Sequence, residues 1–264
     1  MQTALSYETV KSNLEKLEMT TAYSALDNVL EAGRVEELSA IEIIDRLLDI
    51  ELKARHQRRV EINYRFSGLP YRRSLEEFDF SSQPSVDEQL VGRLATLNFI
   101  SEGTNVLLLG PPGVGKTHLA VGLAVKAIEA SNRVYFVTMS NLCRKYRSYS
   151  LRGHKDRLLT VFARPEILII DEVGYTKLDQ DESVFFFDLV AMRYQKRKSI
   201  IMTSNKSWGS WGDILPDRVM ASAILDRLLH YSVTINIQGQ SYRLKEHRTI
   251  GQIIEQANRK EDKH

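Results

Sequence analysis

Two hydrophobic periodicities divide the chain. Between residues 5 and 62 apolar positions recur three and four apart: Val10, Leu14 and Leu17; then Leu26, Val29 and Leu30; then Ile41, Ile44, Leu47, Leu48 and Leu52. That spacing predicts three amphipathic helices with these residues turned inward. Gly33 is expected to stop the second, and Ser39 followed by Glu42 fits a capping box that opens the third. From about residue 75 the pattern changes. Continuous apolar runs now alternate with helix-length amphipathic segments: "NVLLLG" (105 to 110), "RVYFV" (133 to 137), "EILIID" (166 to 171), "SIIMTS" (199 to 204) and "SVTINI" (232 to 237). Runs of this kind separated by helices predict an α/β fold with a five-stranded parallel sheet covered on both faces. Asp179 with Glu182 marks a helix start, and Pro165 bars helix from entering the third strand. The expected division is a small all-α N-terminal domain at 1–66, a linker at 67–80 where Gly68 and Pro70 interrupt both patterns, an α/β domain at 81–255 and a tail at 256–264.

Charge sharpens the first region. The total of +2 hides a reversal: residues 1–52 carry eleven acids against four bases, whereas residues 53–73 carry seven bases against Glu61. Arg55, Arg58 and Arg59 therefore sit on a basic helix end, which reads either as a solvated terminus or as an arm for nucleic-acid phosphates. Cys143 is the single cysteine, which excludes an internal disulfide framework. No apolar run reaches the ~18 residues of a membrane span, and "MQTALSYETVKSNLEKL" lacks a signal-peptide core. The expectation is a cytoplasmic location with no membrane partner.

The most specific chemistry lies at 110–118. Gly110, Pro111, Pro112, Gly113, Val114, Gly115, Lys116, Thr117 and His118 follow a strand and open a helix, and the run satisfies G-x-x-x-x-G-K-[ST]. Small residues let backbone N–H groups converge on a β-phosphate, Lys116 reaches β and γ oxygens, and Thr117 offers its hydroxyl to Mg2+. The cofactors implied are a nucleotide and Mg2+. The third strand ends in Asp171 and Glu172. A carboxylate at the tip of a parallel strand suits the metal's shell, which assigns Asp171; Glu172, one residue on, is placed to polarise water for hydrolysis. Asn205 closes the fourth strand and reads either as a turn residue or as a γ-phosphate contact, the latter requiring that strand to lie between the first and third.

"GPPGVGKTHLA", "ILIIDEVGY", "IIMTSN", "AILDRLLH" and "SYRLKEH", in this order and spacing, resemble the AAA+ ATPases of the IstB and DnaC type, most closely the IstB group that assists insertion-sequence transposition. The resemblance spans nearly the whole chain. It implies that the nucleotide is ATP, that Asn205 is a sensor-one residue, that Arg227 is an arginine finger entering a neighbouring subunit's site, with Arg218 a second choice, and that Arg243 is a sensor-two arginine. A finger in trans implies a homo-oligomer. Only 21 residues follow Arg243, so the helical lid usual in the wider group is expected to be truncated.

Between the second and third strands, Arg144, Lys145, Arg147, Arg152, Lys155 and Arg157 stand against Asp156 alone, with Tyr146 and Tyr149 interleaved. Bases beside aromatic rings suit nucleic acid, and the resemblance implies a DNA-contacting element here. The implied function is an ATPase that assembles on duplex DNA, remodels it and delivers it to a transposase. Two rival readings are a replicative helicase loader of the DnaC type and a small-molecule kinase on the same phosphate loop; the kinase leaves Glu172 and Arg227 without a purpose. Trp208 and Trp211 are expected to pack around the loop after the fourth strand.

Overall fold

The computed structural model describes residues 2–242, with side chains from Ser6 onward. The chain divides into two compact units between Ile62 and Asn63. Among the described residues no helix is long and apolar enough to cross a membrane.

The first unit is built from α1 (Gln2–Lys16), α2 (Thr20–Val35) and α3 (Ala40–Ser67), the last running on past the division. Its core is small. Leu14, Ala22, Leu26, Val29 and Leu47 are buried, with Leu30, Ile43 and Ile50 packed against them. The expected inward set is only partly inward: Val10, Leu17, Ile41, Ile44, Leu48 and Leu52 are exposed. Periodicity marks a helical stripe, but α3 turns its other side, through Ile43, Leu47 and Ile50, to the bundle. Gly33 does not stop α2, which continues to Val35. A Cβ at Gly33 would come within 2.7 Å of Ile43 Cδ1, so the missing side chain lets α2 and α3 approach. The capping box is present, with Ser39 N–H donating to Glu42 Oε2 at 2.7 Å and Glu42 N–H to Ser39 Oγ at 3.3 Å.

Glu51 organises this unit. Met19 precedes α2 and offers no side-chain cap. The carboxylate of Glu51, 2% exposed, instead accepts from the N–H groups of Thr21 and Ala22 at 3.0 Å each, satisfying donors that a helix start leaves unpaired. Arg55 Nε (2.8 Å) and Arg58 Nη2 (3.2 Å) reach Glu51 Oε1. Arg55 also donates to the carbonyls of Leu17 and Glu18, and Arg58 to the hydroxyls of Thr20 and Thr21. Two of the three arginines expected on a free basic arm are thus paired with Glu51 while their side chains stay 48% and 52% exposed, because a buried carboxylate needs cationic partners. Arg59 remains exposed.

The second unit carries α4 (Glu88–Ala95), α5 (Asn98–Glu102), β1 (Asn105–Leu109), α6 (Lys116–Glu129), β2 (Val134–Thr138), α7 (Met139–Ser150), α8 (Lys155–Ala163), β3 (Ile167–Val173), α9 (Gln180–Gln195), β4 (Ser199–Ser204), α10 (Arg218–His230) and β5 (Ser232–Asn236). The strands form one parallel sheet in the order β2-β3-β4-β1-β5. Every residue of β1 and β4 is buried, and each fully buried aliphatic side chain stabilises by roughly 1.5–3 kcal/mol. Arg193, 0% exposed, donates to the carbonyls of Phe162, Pro165, Glu166 and Ser199, tying α8, the start of β3 and β4 to α9. The helix start at Asp179 is a full capping box with Glu182.

The stretch expected as a linker at 67–80 is packed rather than free. Leu75 and Phe78 are buried, Ser74 O meets His118 Nε2 at 3.0 Å, and Gly122 on α6 leaves room for Leu75. "SLEEFDF" alternates enough apolar residues to cover α6, which overrides the turn signal of Gly68 and Pro70.

Candidate nucleotide-binding site

The site forms where the C-terminal ends of β1, β3 and β4 meet the start of α6. Gly110, Gly113 and Gly115 have φ of 147°, 81° and 99°, conformations open to glycine and strained for other residues. Space is equally restrictive: a Cβ at Gly110 would lie 2.2 Å from the Ile237 carbonyl oxygen, and one at Gly115 2.6 Å from the Phe78 ring. Val114 points into the core at 0% exposure and anchors the turn from below, while Pro111 and Pro112 are exposed. Lys116 is 8% exposed, and its Nζ donates to the carbonyls of Gly110 (2.8 Å) and Pro111 (2.7 Å). The His118 ring packs edge-on to Phe78 with centroids 5.5 Å apart, and its Nε2 meets Ser74 O.

The two acids at the end of β3 are set by an irregularity that the sequence pattern does not display. Ile170 pairs with Met202 and Val173 with Ser204, so Asp171 and Glu172 together oppose the single residue Thr203. This is a β-bulge, which re-aims side chains that would otherwise point to opposite faces. Glu172 takes φ 62°, its N–H donates to Thr203 Oγ1 at 3.0 Å, and the Thr203 hydroxyl makes a short hydrogen bond to Asp171. Asp171, 4% exposed, lies 3.0 and 3.2 Å from the Thr117 hydroxyl, whereas Glu172 is exposed and lines the same cleft as Lys116, Thr117 and Asn205.

β4 lies between β1 and β3, which brings Asn205 to the cleft. Its Oδ1 is buried without a hydrogen-bond partner, as expected of an acceptor aimed at a ligand or water. The Thr117 hydroxyl and the Asp171 carboxylate form a hard-oxygen pair whose described partners are hydroxyls and not cations, a donor set that fits Mg2+. Residues 237–242 strap the loop: Ile237 N–H donates to Leu109 O at 2.7 Å and Tyr242 N–H to Gly113 O at 2.9 Å. Sequence reasoning missed Thr203 and Phe78, neither of which belongs to a spacing rule.

Both finger candidates lie on α10. Arg227 is half-buried, with Nη1 donating to Ala223 O at 2.7 Å and the guanidinium 4.8 Å from the Phe187 ring centroid. Arg218 is exposed in the first helical turn, where a cation opposes the macrodipole. Arg243 lies outside the described residues, as do the expected lid segment and tail. Trp211 is 1% exposed and Trp208 packs against it with centroids 5.6 Å apart.

The basic element is α7 and α8 with the turn between them. Arg144, Lys145, Arg152, Lys155 and Arg157 are exposed. Arg147 differs, pairing at 2.7 Å with Glu182, whose side chain is 1% exposed. Tyr146 is buried and Tyr149 packs half-buried against the core, so neither ring is displayed as a platform. Aromatic residues at helical spacing fill the space under α7 instead.

Comparison with known proteins agrees with this geometry. The family described as IstB-like ATP binding protein matches residues 12–250. The insertion sequence IS5376 ATP-binding protein of Geobacillus stearothermophilus is 44% identical over 218 residues, covering 83% of this chain and 86% of that protein. The insertion sequence IS21 ATP-binding protein of Pseudomonas aeruginosa is 43% identical over 238 residues, covering 90% and 89%. Among solved structures, the replication initiator DnaA bound to AMPPCP and single-stranded DNA superposes with a TM-score of 0.54 at 20% identity, covering 66% of this chain and 52% of that one. DnaI gives 0.53 at 22%, covering 63% and 92%. These likenesses fix the α/β AAA+ fold, and with the family match over most of its length the chain belongs to the IstB-like ATP-binding proteins of insertion sequences.

Proposed function

We propose that the protein is a Mg2+-dependent ATPase that assembles on duplex DNA in its ATP-bound form, remodels the duplex and presents it to a transposase. The observation that carries the hydrolytic part is the β3 bulge, which holds Asp171 against Thr117 while leaving Glu172 open to the cleft. Thr117 and Asp171 would hold Mg2+, which supplies charge neutralisation at the phosphates. Lys116 exchanges its loop carbonyls for β and γ oxygens, and the first-turn N–H groups of α6 bind the same phosphates. Glu172 accepts a proton from the attacking water, and Asn205 orients that water or the γ-phosphate. Arg243 is assigned to the γ-phosphate of its own subunit.

An arginine from α10 of a neighbour completes the site, and such fingers contribute about 10³ to 10⁵ in rate. Arg227 is the first assignment; it must leave Ala223 O and Phe187 to reach across. Arg218 is already exposed. Cations of α7 and α8 contact DNA phosphates without reading sequence. The names of the relatives support an insertion-sequence context for the transposase partner.

ATP turnover measured with no DNA, duplex or single strands, alongside mass by light scattering in ATP and in ADP, tests the reading. Duplex-stimulated turnover, steeper than linear in protein concentration, with growth in mass in ATP supports it. Stimulation by single strands alone, with capture of a helicase rather than a transposase, would transfer the protein to helicase loading. A monomer that ignores DNA and turns over ATP only with a small phosphoryl acceptor would replace it with the kinase reading.

A further inference from the structure

Every residue of β4 is buried, and its Thr203, paired in register with Leu108 of β1, is 1% exposed. A hydroxyl in the middle of a sheet costs stability unless it is hydrogen-bonded. Both of its bonds go to the β3 bulge. Thr203 Oγ1 accepts from the N–H of Glu172 at 3.0 Å and donates its one hydrogen to Asp171 Oδ1. A single oxygen therefore joins two consecutive residues to which the proposed mechanism gives different tasks.

Each bond answers a local need. Glu172 has φ 62°, which a residue with a side chain adopts only where its surroundings hold it. A bulge leaves its extra residue without a ladder partner, and the Thr203 oxygen supplies one. Asp171 has two described side-chain partners, Thr203 on Oδ1 and Thr117 at 3.0 Å from Oδ1 and 3.2 Å from Oδ2. The terminal torsion of an aspartate is broad, so a second donor from another strand fixes the plane of the carboxylate. Oδ1 is taken by two hydroxyls, while Oδ2 has only the longer Thr117 contact. The neighbouring Ser204 differs: its hydroxyl serves the following turn, through Val173 O at 2.8 Å and Lys206 N–H at 3.0 Å.

We propose that Thr203 is a positioning residue that couples the two acids: its donor side orients Asp171 for the metal, and its acceptor side holds the Glu172 backbone in the turn that carries its carboxylate into the cleft. The proposal rests on the roles given above to Asp171 and Glu172 and adds that one side chain on β4 sets them together. Loss of the hydroxyl weakens both at once, which packing of the Thr203 methyl does not predict.

The test reads metal and backbone apart from turnover. Affinity of the full chain for AMPPNP, measured by calorimetry with excess Mg2+ and with EDTA, gives the gain due to the metal. Hydrogen exchange followed by NMR gives the protection of the Glu172 amide against those of Ile169 and Ile170. Thr203→Val keeps the shape and removes the hydroxyl. Its Mg2+ gain should fall at least about tenfold, in the range for groups that orient a metal's ligands, with the EDTA affinity unchanged. Glu172 protection should fall while that of Ile169 and Ile170 is kept. Thr203→Ser should restore both, and Ser204→Ala, which removes a buried hydroxyl one residue on, should leave both as in wild type. Should Thr203→Val not fold, Thr203→Cys, a weak donor and acceptor, carries the same expectation. Either readout unmoved in Thr203→Val, or Thr203→Ser or Ser204→Ala as impaired as Thr203→Val, overturns the proposal, as does a wild type with no Mg2+ gain. A wild type that never hydrolyses ATP, with both effects present, would remove the hydrolytic function and leave the coupling standing; hydrolysis in wild type with either readout unmoved in Thr203→Val would do the reverse.

Discussion

The two units put regular apolar patterns of different period to different ends. In residues 63–242 the apolar runs are consumed by the sheet, with Val106, Leu107, Leu108 and Ile167 to Ile170 at 0% exposure. In residues 2–62 a regular helical spacing leaves half its members in solvent, and among the described residues the core cluster holds five buried side chains beside one buried carboxylate network. A strand buried on both faces has no choice of side. A helix does, and its stripe can serve a core or a partner. The nucleotide unit is therefore a scaffold whose chemistry sits at strand ends, and the helical unit is largely surface.

The largest effect expected within this contrast is catalytic. Glu172→Gln keeps the bulge, because the Thr203 contact is to the backbone N–H and not to the carboxylate. Turnover should fall about 10³-fold, within the range for loss of a general base, with ATP affinity nearly unchanged. Single-turnover hydrolysis beside equilibrium ATP binding checks it. Retained turnover would move the water-activating role away from Glu172 and make the bulge a structural feature only.

Paired core deletions probe the contrast itself. Leu107→Ala in β1 removes a side chain at 0% exposure and should cost about 2–5 kcal/mol. Ile44→Ala, at a position with the same apolar signature but 53% exposed, should cost less than about 0.5 kcal/mol. Thermal or urea unfolding of both variants without nucleotide decides it. Equal costs would mean that the α3 face is covered in the single chain.

Legibility followed the same line. Strands, their order in the chain, the phosphate loop and the Asp179–Glu182 cap were readable because each rests on local backbone requirements: glycine at positive φ, a carboxylate three residues before a helix N–H, apolar runs of fixed length. The sheet order was not readable from spacing, and Asn205 acquires a place in the cleft only through β4 lying beside β1. The bulge was silent as well, since "IIDEV" looks the same with or without an extra residue opposite Thr203. Arg147, Arg55 and Arg58 all read as nucleic-acid contacts by charge. What distinguishes them is Glu182 and Glu51, carboxylates distant in sequence or, for Glu51, hidden among other acids of an acidic region.

Glu51 gives the helical unit a dependence on pH. Burial alone raises its pKa, but hydrogen bonds from Arg55 and from the N–H groups of Ala22 and Thr21 outweigh that and hold it below the ordinary glutamate value. A depressed folded pKa means stability that is full above the unfolded value near 4.5 and is lost as pH falls through the lower folded one. Glu51→Gln should cost about 2 kcal/mol at neutral pH, as a hydrogen-bonded charge would, and flatten the acid dependence below pH about 4.5. Amide exchange at Thr21 and Ala22 reports it locally. Unchanged protection there would show that α2 is capped by other means.

The smallest effects separate the two basic regions. Five exposed cations on α7, α8 and the turn between them that make no ion pair among the described residues predict a duplex affinity whose logarithm falls with log salt at a slope near −4.5. Arg144→Ala should bring that slope about one closer to zero and weaken binding alike on any sequence. Arg58→Ala should leave the slope unchanged, because its guanidinium is held by Glu51, Thr20 and Thr21, and should act instead on the stability of the bundle. Arg147→Ala is the informative middle case. Its partner Glu182 is 1% exposed and anchors the start of α9, so removing the guanidinium strands a buried carboxylate. If Arg147 is a strut, the variant loses melting temperature and keeps the slope; if it leaves Glu182 to meet a phosphate, the slope drops by about one. Titrating duplex DNA at several salt concentrations with these three variants tells a phosphate contact from a cation that the fold has already used.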